Sequence, residues 1–306
     1  MFLSQLLWLC GNSTFMKNTL LTLSKDQSGF TLFELLVTLV LSAIVFVGAM
    51  QAYSSMTAAS YDLHIRIATN VQAQAIIQTI GNELRVLGNG VPFEQPNFQI
   101  GETTLSDPLV TEPLLVNQAT SSSIQFRLNE TGEVALLMAD FDPALGLDIQ
   151  LTDVSGLDVN DPIYINNSVM SGDDGLFATI TRVDSLGKVI TISPTYVASP
   201  GAVFPMGSIL EEVPIVTYSY TPDVGISRDS GYGAVLLGNN ATLELDYLDH
   251  NGNSIPLPLT NDLVVNSLRS IRVTVEMTSD SLLKSGERYM ATVSQIFGLR
   301  NLNYLY

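Results

Sequence analysis

The spacing of apolar positions changes along the first third of the chain. Residues 30–50 are apolar almost throughout, whereas the apolar residues of 76–87 recur every three or four positions. A continuous apolar run of about 20 residues is typical of a membrane-spanning helix, and the second spacing is typical of a helix with one buried face. No proline interrupts residues 30–87. The pattern predicts one helix, with a membrane half (30–50) and an amphipathic half (51–88).

Beyond this helix the spacing becomes the alternation typical of β-strands. Gly88-Asn89-Gly90 ends the helix and Pro92 prevents its continuation. We expect strands at 123–128, 133–137, 162–165, 176–183, 189–193, 215–220, 234–237, 242–248, 254–259, 264–265, 271–277 and 289–297. The predicted fold class is therefore α+β. One long N-terminal helix packs on an antiparallel β-sheet domain (92–306) that carries a β-rich sub-domain at about 148–212.

One carboxylate stands inside the apolar segment. Glu34 is the only charged residue among the 32 from Phe30 to Tyr61. A charge at that depth costs about 2.5–3.5 kcal/mol on membrane-insertion scales, so the residue is a functional candidate by default. A buried glutamate needs either a partner or a proton.

The charge balance excludes one class of partner. The chain has a formal net charge of −17 and only 13 basic residues. Between Val86 and Thr181 the only basic residue is Arg127. Binding to nucleic acid depends on clustered Lys and Arg, so we do not expect it here.

The charges that flank the apolar segment predict its orientation. Lys17 and Lys25 precede the segment, and the first charge after it is Asp62. By the positive-inside tendency, the N-terminus faces the cytoplasm and the rest is exported from a single-pass inner-membrane anchor. The only cysteine, Cys10, lies upstream of the segment. The exported part then has no thiol and no disulfide.

Residues 29–37, Gly-Phe-Thr-Leu-Phe-Glu-Leu-Leu-Val, resemble the type IV prepilin signature of pilins and type II secretion pseudopilins. The resemblance implies cleavage by a prepilin peptidase between Gly29 and Phe30, with N-methylation of Phe30. It also implies that Glu34 supports assembly with other pilin or pseudopilin subunits.

Cleavage at that junction would explain the carboxylate. The new amine of Phe30 would lie roughly one helical turn from Glu34 in the same chain, and a neighbouring subunit's amine could also reach it. Pairing between subunits would fix the axial register of helices whose other contacts are non-directional.

Two interpretations of the leader (1–29) stay open. Residues 1–10 are apolar, and Met16 begins a shorter basic segment that ends at Gly29. Either the leader is unusually long or translation begins at Met16, and the leader-like form of the segment from Met16 favours the second.

A looser resemblance covers most of the remaining chain. The predicted sub-domain and the runs 243–249, 269–275 and 299–302 resemble PilW-type minor pilins and the J-type minor pseudopilins. The chain lacks the C-terminal disulfide loop common in major pilins. We therefore expect a minor pilin of a type IV pilus. The alternatives are a minor pseudopilin of a type II secretion system and a membrane-anchored periplasmic binding module or adhesin that does not polymerise.

Other candidate sites are weaker on residue chemistry. His64 and His250 are interpreted as surface residues, and Gly231-Tyr232-Gly233 as a turn, because no strand-to-helix unit follows it. The calcium candidates are Asp140, Asp142, Asp173 and Asp174, but their spacing matches no twelve-residue loop, so solvated loop carboxylates are preferred. With no Gly-x-Ser-x-Gly and no exported thiol, we expect neither an enzyme nor a bound cofactor or metal.

Overall fold

The computed structural model describes residues 31–91, 113–132, 134–166, 175–197, 203–260, 264 and 267–300. It contains one long helix, α1 (Leu32–Arg85), and a short 3-10 helix (Val116–Gln118). The strands are β1 (Ser123–Arg127), β2 (Val134–Leu136), β3 (Asp148–Gln150), β4 (Pro162–Asn166), β5 (Leu176–Asp184), β6 (Val189–Val197), β7 (Ile209–Glu212), β8 (Ile215–Thr221), β9 (Gly225–Asp229), β10 (Val235–Gly238), β11 (Ala241–Leu248), β12 (Ser270–Leu282) and β13 (Arg288–Gly298). A long apolar helix with antiparallel sheets confirms the predicted α+β class.

The chain divides into two compact units between Ala59 and Ser60, so we call Leu32–Ala59 the first half of α1 and Ser60–Arg85 the second half. In the first unit, no helical residue from Leu32 to Ala59 is buried. The helix contains a window long and apolar enough to cross a membrane, and no part of that window is buried. A core helix of a soluble protein would bury most of such a window, so this half is suited to lipid or to another apolar surface.

In the second unit, α1 buries one face on the sheets. The buried residues recur at three- and four-residue spacing, as an amphipathic helix requires, and they are Ile65, Thr69, Ala73, Ile76, Ile77, Ile80, Gly81 and Leu84. The helix stops at Arg85. Gly88 and Gly90 then turn with φ of 76° and 82°, a conformation that glycine adopts without strain.

Two antiparallel sheets complete what we call the body, namely α1 from Ser60 onward together with β1 and β8–β13. Their strand orders are β1-β8-β9-β10 and β11-β12-β13. Both sheets contribute side chains to one core with α1, including Phe126, Tyr218, Val273 and Phe297. Phe297 lies directly against Gly81, so closely that a Cβ on Gly81 would overlap its ring. A glycine is therefore required where this strand meets the helix.

The remaining strands form a closed barrel, β2–β7. The order β2-β7-β4-β5-β6-β3 returns to its start through a bridge between Leu137 and Leu151. Met138 N–H donates to the Gln150 carbonyl at 2.8 Å, and Thr152 N–H donates to the Leu136 carbonyl at 2.9 Å. Its interior holds a cluster of buried apolar side chains that is separate from the core of the body. Among the described strands of the barrel, closure leaves no open sheet edge.

The barrel is inserted between two neighbouring strands of the body. The chain leaves the body after β1 and returns at β8, where Arg127 and Ile215 are paired. The barrel begins at Val134, whereas the sequence placed the start of the sub-domain at about 148. The sequence predicted a strand at 133–137 but could not assign it to the sub-domain, because its partner β7 lies more than seventy positions away in the chain.

Several predicted strands differ from those observed. Residues 254–259 form no strand and have only an isolated bridge between Leu248 and Ser254, since Pro256 and Pro258 cannot donate to a ladder. Val264 is helical, and residue 265 lies outside the described residues. The sequence did not predict the short strands β3, β7 and β9.

Candidate functional site

The first turn of α1 is closed by two side chains. Thr31 N–H and Oγ1–H both donate to Glu34 Oε2, at 3.0 and 3.1 Å. In return, Glu34 N–H donates to Thr31 Oγ1 at 3.3 Å. This reciprocal arrangement is a capping box, in which a threonine and a glutamate three residues later satisfy donors that a helix start leaves unpaired.

The capping box changes how the Glu34 charge is compensated. The carboxylate lies at the positive end of the helix dipole, and it accepts donors that hydrocarbon would leave unsatisfied. Among the described residues only Thr31 donates to it, and only through Oε2. Our sequence reasoning considered an amine partner and missed this local one, although Thr-x-x-Glu ahead of an apolar run is its sequence signal.

A second feature is an uncovered apolar stripe on α1, consisting of Leu63, Ile67 and Val71. These residues are 57%, 54% and 56% exposed. Their spacing of four places them on one side of the helix, away from the buried face. The body thus covers one face of this half-helix and leaves an apolar face open.

The direction of the stripe is fixed by an ionic anchor at the other end of α1, made of Glu83, Arg228 and Glu130. Arg228 Nε lies 2.9 Å from Glu83 Oε1, and Arg228 Nη2 lies 2.8 Å from Glu130 Oε1. Tyr218 O–H donates to Glu83 Oε2 at 2.8 Å. Burial and the neighbouring Glu83 charge raise the pKa of Tyr218. The anchor therefore resists rotation of α1 on the sheet.

The β12–β13 hairpin fixes the helix along its length. Near the start of the buried face of α1, Lys284 N–H donates to Asp62 Oδ1 at 2.8 Å. Further along, the Asn70 side chain donates to Tyr289 Oη at 3.1 Å, and the guanidinium of Arg85 lies 5.3 Å from the ring centroid of Phe297. These contacts and the anchor hold α1 at both ends of its buried face.

Comparison with known families identifies one segment. Residues 24–50 match the model of the prokaryotic N-terminal methylation motif. The chain carries a type IV pilin-like N-terminus. This confirms the resemblance drawn from residues 29–37, and the matched segment contains Gly29, Phe30 and Glu34. No curated protein matches the chain.

Of the residues in the pilin-like motif, Gly29 and Phe30 lie outside the described residues, as does the leader. Cleavage between them and methylation of Phe30 stay predictions. Glu34 and Thr31 are the described polar residues at the start of this segment, and the structure joins them.

The remaining candidates do not converge. His64 and His250 are exposed and far apart in the chain. Asp140 accepts Met206 N–H at 2.8 Å, and Asp142 accepts Ala144 N–H at 2.9 Å, so both carboxylates have loop-stabilising roles. Asp173 and Asp174 lie outside the described residues. Within the described ranges, no three acidic, His or Cys side chains form a group that could hold a metal ion.

Proposed function

We propose that this chain is a minor pilin, a structural and assembly subunit of a type IV pilus. A prepilin peptidase would cleave it between Gly29 and Phe30, and the subunit would enter the fibre through α1. The observation that carries the proposal is the pilin-like methylation motif at residues 24–50, which opens directly into a helix with no buried residue up to Ala59.

The uncovered faces of α1 support assembly over simple anchoring. An anchor needs an apolar surface only within the bilayer, which about 20 residues satisfy. Leu63, Ile67 and Val71 follow the first charged residue after the apolar segment, Asp62, and stay more than half exposed. Apolar side chains in a row outside the membrane are suited to packing against another helix, and the helices of neighbouring subunits are the natural occupants.

Glu34 would then have two partners. Thr31 occupies Oε2, while Oε1 takes no hydrogen bond from a described residue. We propose that Oε1 receives the amine of a neighbouring subunit's processed N-terminus. The capping box orients the carboxylate, and the pairing between subunits fixes the axial register.

The barrel supports a minor subunit over a major one. The barrel has its own core and is inserted in the connection between β1 and β8 of the body. It therefore adds surface without contributing to the sheets on which α1 packs. A minor pseudopilin of a type II secretion system is the alternative, since the motif and the helix suit both. The proposal assigns no catalytic role to the chain, and it places the domain after α1 outside the inner membrane.

The N-terminus of the mature protein tests this proposal. The full chain is expressed with and without an active prepilin peptidase, purified from membranes, and its N-terminal peptide is identified by mass spectrometry. We expect a methylated Phe30 only when the peptidase is active. An intact leader under both conditions would contradict processing and favour the anchored binding module or adhesin.

A further inference from the structure

Two parts of the outer surface of the barrel are either polar or covered. The outward positions of β3 and β6 carry polar side chains, namely Asp148, Gln150, Thr191 and Ser193. On β4 and β5, Tyr164 and Phe177 point outward as a pair, but they are buried with Val91 and Val213 at the junction with the body. Polar side chains and packing at the junction thus account for these two parts of the surface.

The outward face of β2 is neither polar nor covered. Val134 and Leu136 point outward, as does Met138 two positions further, while the residues between them are buried in the barrel core. These three outward side chains are 49%, 39% and 48% exposed. Strand β7 adds Ile209, which is paired with Leu136 and therefore lies on the same face. We call these four residues the barrel patch.

The barrel patch is suited to binding through side chains and not to strand addition. Strand β2 has neighbours on both sides, namely β7 and the segment that contains Leu151, so it offers no open edge to an added strand. A cluster of exposed apolar side chains on a polar surface is typical of a protein-binding site. Covering the patch would stabilise a complex in proportion to the apolar area removed from water.

A half-buried carboxylate lies at the border of the patch. Glu211 is paired with Val134 of β2 and with Tyr164 of β4, so its side chain also lies on the outer face. It lines a cleft of about 220 Å³ together with Ile209. Burial raises the pKa of Glu211, and among the described residues none donates a hydrogen bond to its carboxylate. Because a charge removed from water without a partner is costly, a cation in the cleft would stabilise it.

The charge of the barrel favours a basic partner. Residues 134–212 contain eleven acidic and two basic residues, so the barrel carries more than half of the net negative charge of the chain. Such a surface attracts basic proteins and repels anionic lipids and acidic proteins. The barrel patch is therefore an apolar area on a surface that favours cations at its border.

The chain itself offers no occupant with this chemistry. Residues 92–112 follow Val91 at the edge of the cleft, and they contain four acidic residues and no lysine or arginine. A second copy of the chain has the same net charge of −17, so charge repulsion opposes its approach. Both occupants would leave Glu211 without a cation.

We propose that the barrel patch binds a different protein, which places apolar side chains on the patch and a lysine or arginine against Glu211. Burial of the patch provides affinity, while the ion pair provides specificity and orientation. The partner lies against β2 and β7, on the part of the barrel that the body leaves uncovered. The inference holds whether the chain serves a pilus, a secretion system or an anchored module.

Photo-crosslinking in the native cells tests this proposal. The full chain carries p-benzoylphenylalanine in place of Leu136, and cross-linked products are identified by mass spectrometry after illumination. We expect a product with a different protein, joined within a segment that contains apolar residues and a lysine or arginine. Glu211→Lys should reduce this product at least about tenfold, because like charges would then face each other.

Two controls separate the ion pair from general effects of charge and position. Glu244→Lys makes the same change at an exposed position on β11 of the body, and it should leave the product unchanged. The photoreactive residue at Ser193, on the polar outer face of β6, should not give the product.

A milder variant separates loss of binding from loss of the fold. Glu211→Gln removes the charge and keeps the shape of the side chain. Because no described residue donates to Glu211, this variant should also reduce the product without lowering the temperature of thermal unfolding. The proposal fails if the product joins position 136 to lipid, to residues 92–112 or to a second copy, or if no product forms. It also fails if Glu211→Lys leaves the product unchanged or reduces it no more than Glu244→Lys does.

Discussion

The two halves of α1 are both rich in apolar residues, but they differ in what covers them. From Leu32 to Ala59 the helix buries no side chain, while from Ser60 to Arg85 it buries one face on its own sheets. The first half is apolar around its whole circumference, so no single sheet can cover it. The second half buries most of its large apolar residues on one face and leaves the stripe of Leu63, Ile67 and Val71 uncovered. The comparison teaches that one part of this helix belongs to the core and the other part is an uncovered apolar surface.

The largest effect on assembly should come from the carboxylate of the first half. Replacing Glu34 by Ala removes the charge that would pair with a neighbouring amine, so we expect at least about a tenfold loss of incorporation into fibres, the equivalent of about 1.4 kcal/mol. Processing and membrane insertion should persist. The amount of subunit in sheared fibres measures incorporation, and the amount and size of the subunit in membranes measure insertion and processing.

A matched change separates pairing from capping. Thr31→Val removes the hydroxyl and keeps the carboxylate, and it should reduce incorporation much less than Glu34→Ala. Normal co-assembly of Glu34→Ala would show that Glu34 has no role in register, and equal losses for both variants would assign its role to the cap.

One glycine in each half of α1 provides a matched pair of variants for measurements of stability. Gly81→Ala places a methyl group into the ring of Phe297, and overpacking of this kind costs about 1–3 kcal/mol, offset by up to about 1 kcal/mol from helix propensity. Gly48→Ala meets no described atom of the chain within 4 Å and should not lower the free energy of unfolding, which helix propensity can raise by up to about 1 kcal/mol. Denaturant unfolding of the full chain in detergent measures the difference. Equal stability of the two variants would mean that Phe297 does not pack on Gly81.

A substitution in the stripe tests whether the uncovered apolar side chains of the second half contact a neighbouring subunit. Because Ile67 is exposed, Ile67→Asp should change the free energy of unfolding by less than about 0.5 kcal/mol yet reduce incorporation into fibres. Gln72→Asp adds the same charge at an exposed position outside the stripe and serves as the control. If both variants assemble like the parent, the stripe contacts no neighbour.

The anchor that orients the second half should affect stability and not assembly, because all its contacts lie within one subunit. Tyr218→Phe removes one hydrogen bond to a charged group and should cost about 1.5–3 kcal/mol at most at neutral pH. The raised pKa of Tyr218 means that its contribution is complete below the ordinary tyrosine pKa near 10 and is lost as the pH rises above that value. Unfolding measured from pH 8 to 11 should show a shallower alkaline decline in the variant than in the parent. An identical decline in both proteins would argue against the buried hydrogen bond.

Sequence reasoning reached the helix and the motif because their signals are local. The apolar run, the Gly-Phe junction and Glu34 are contiguous, and the buried face of α1 follows the spacing of its own residues. The strands β3 and β7 have three and four residues, so the alternation is too short to recognise, and they are completed by partners distant in the chain.

By itself, the sequence determined the α+β class, the length of α1 and the pilin-like N-terminus, because each depends on residues within a few turns of one another. Only the tertiary structure decided that the sub-domain is a closed barrel, that Gly81 receives Phe297, and that Ile209 lies beside Leu136 on the barrel surface. Those outcomes depend on which distant segments meet. The local spacing of apolar residues predicts a strand or a helix, but it does not specify the distant partner.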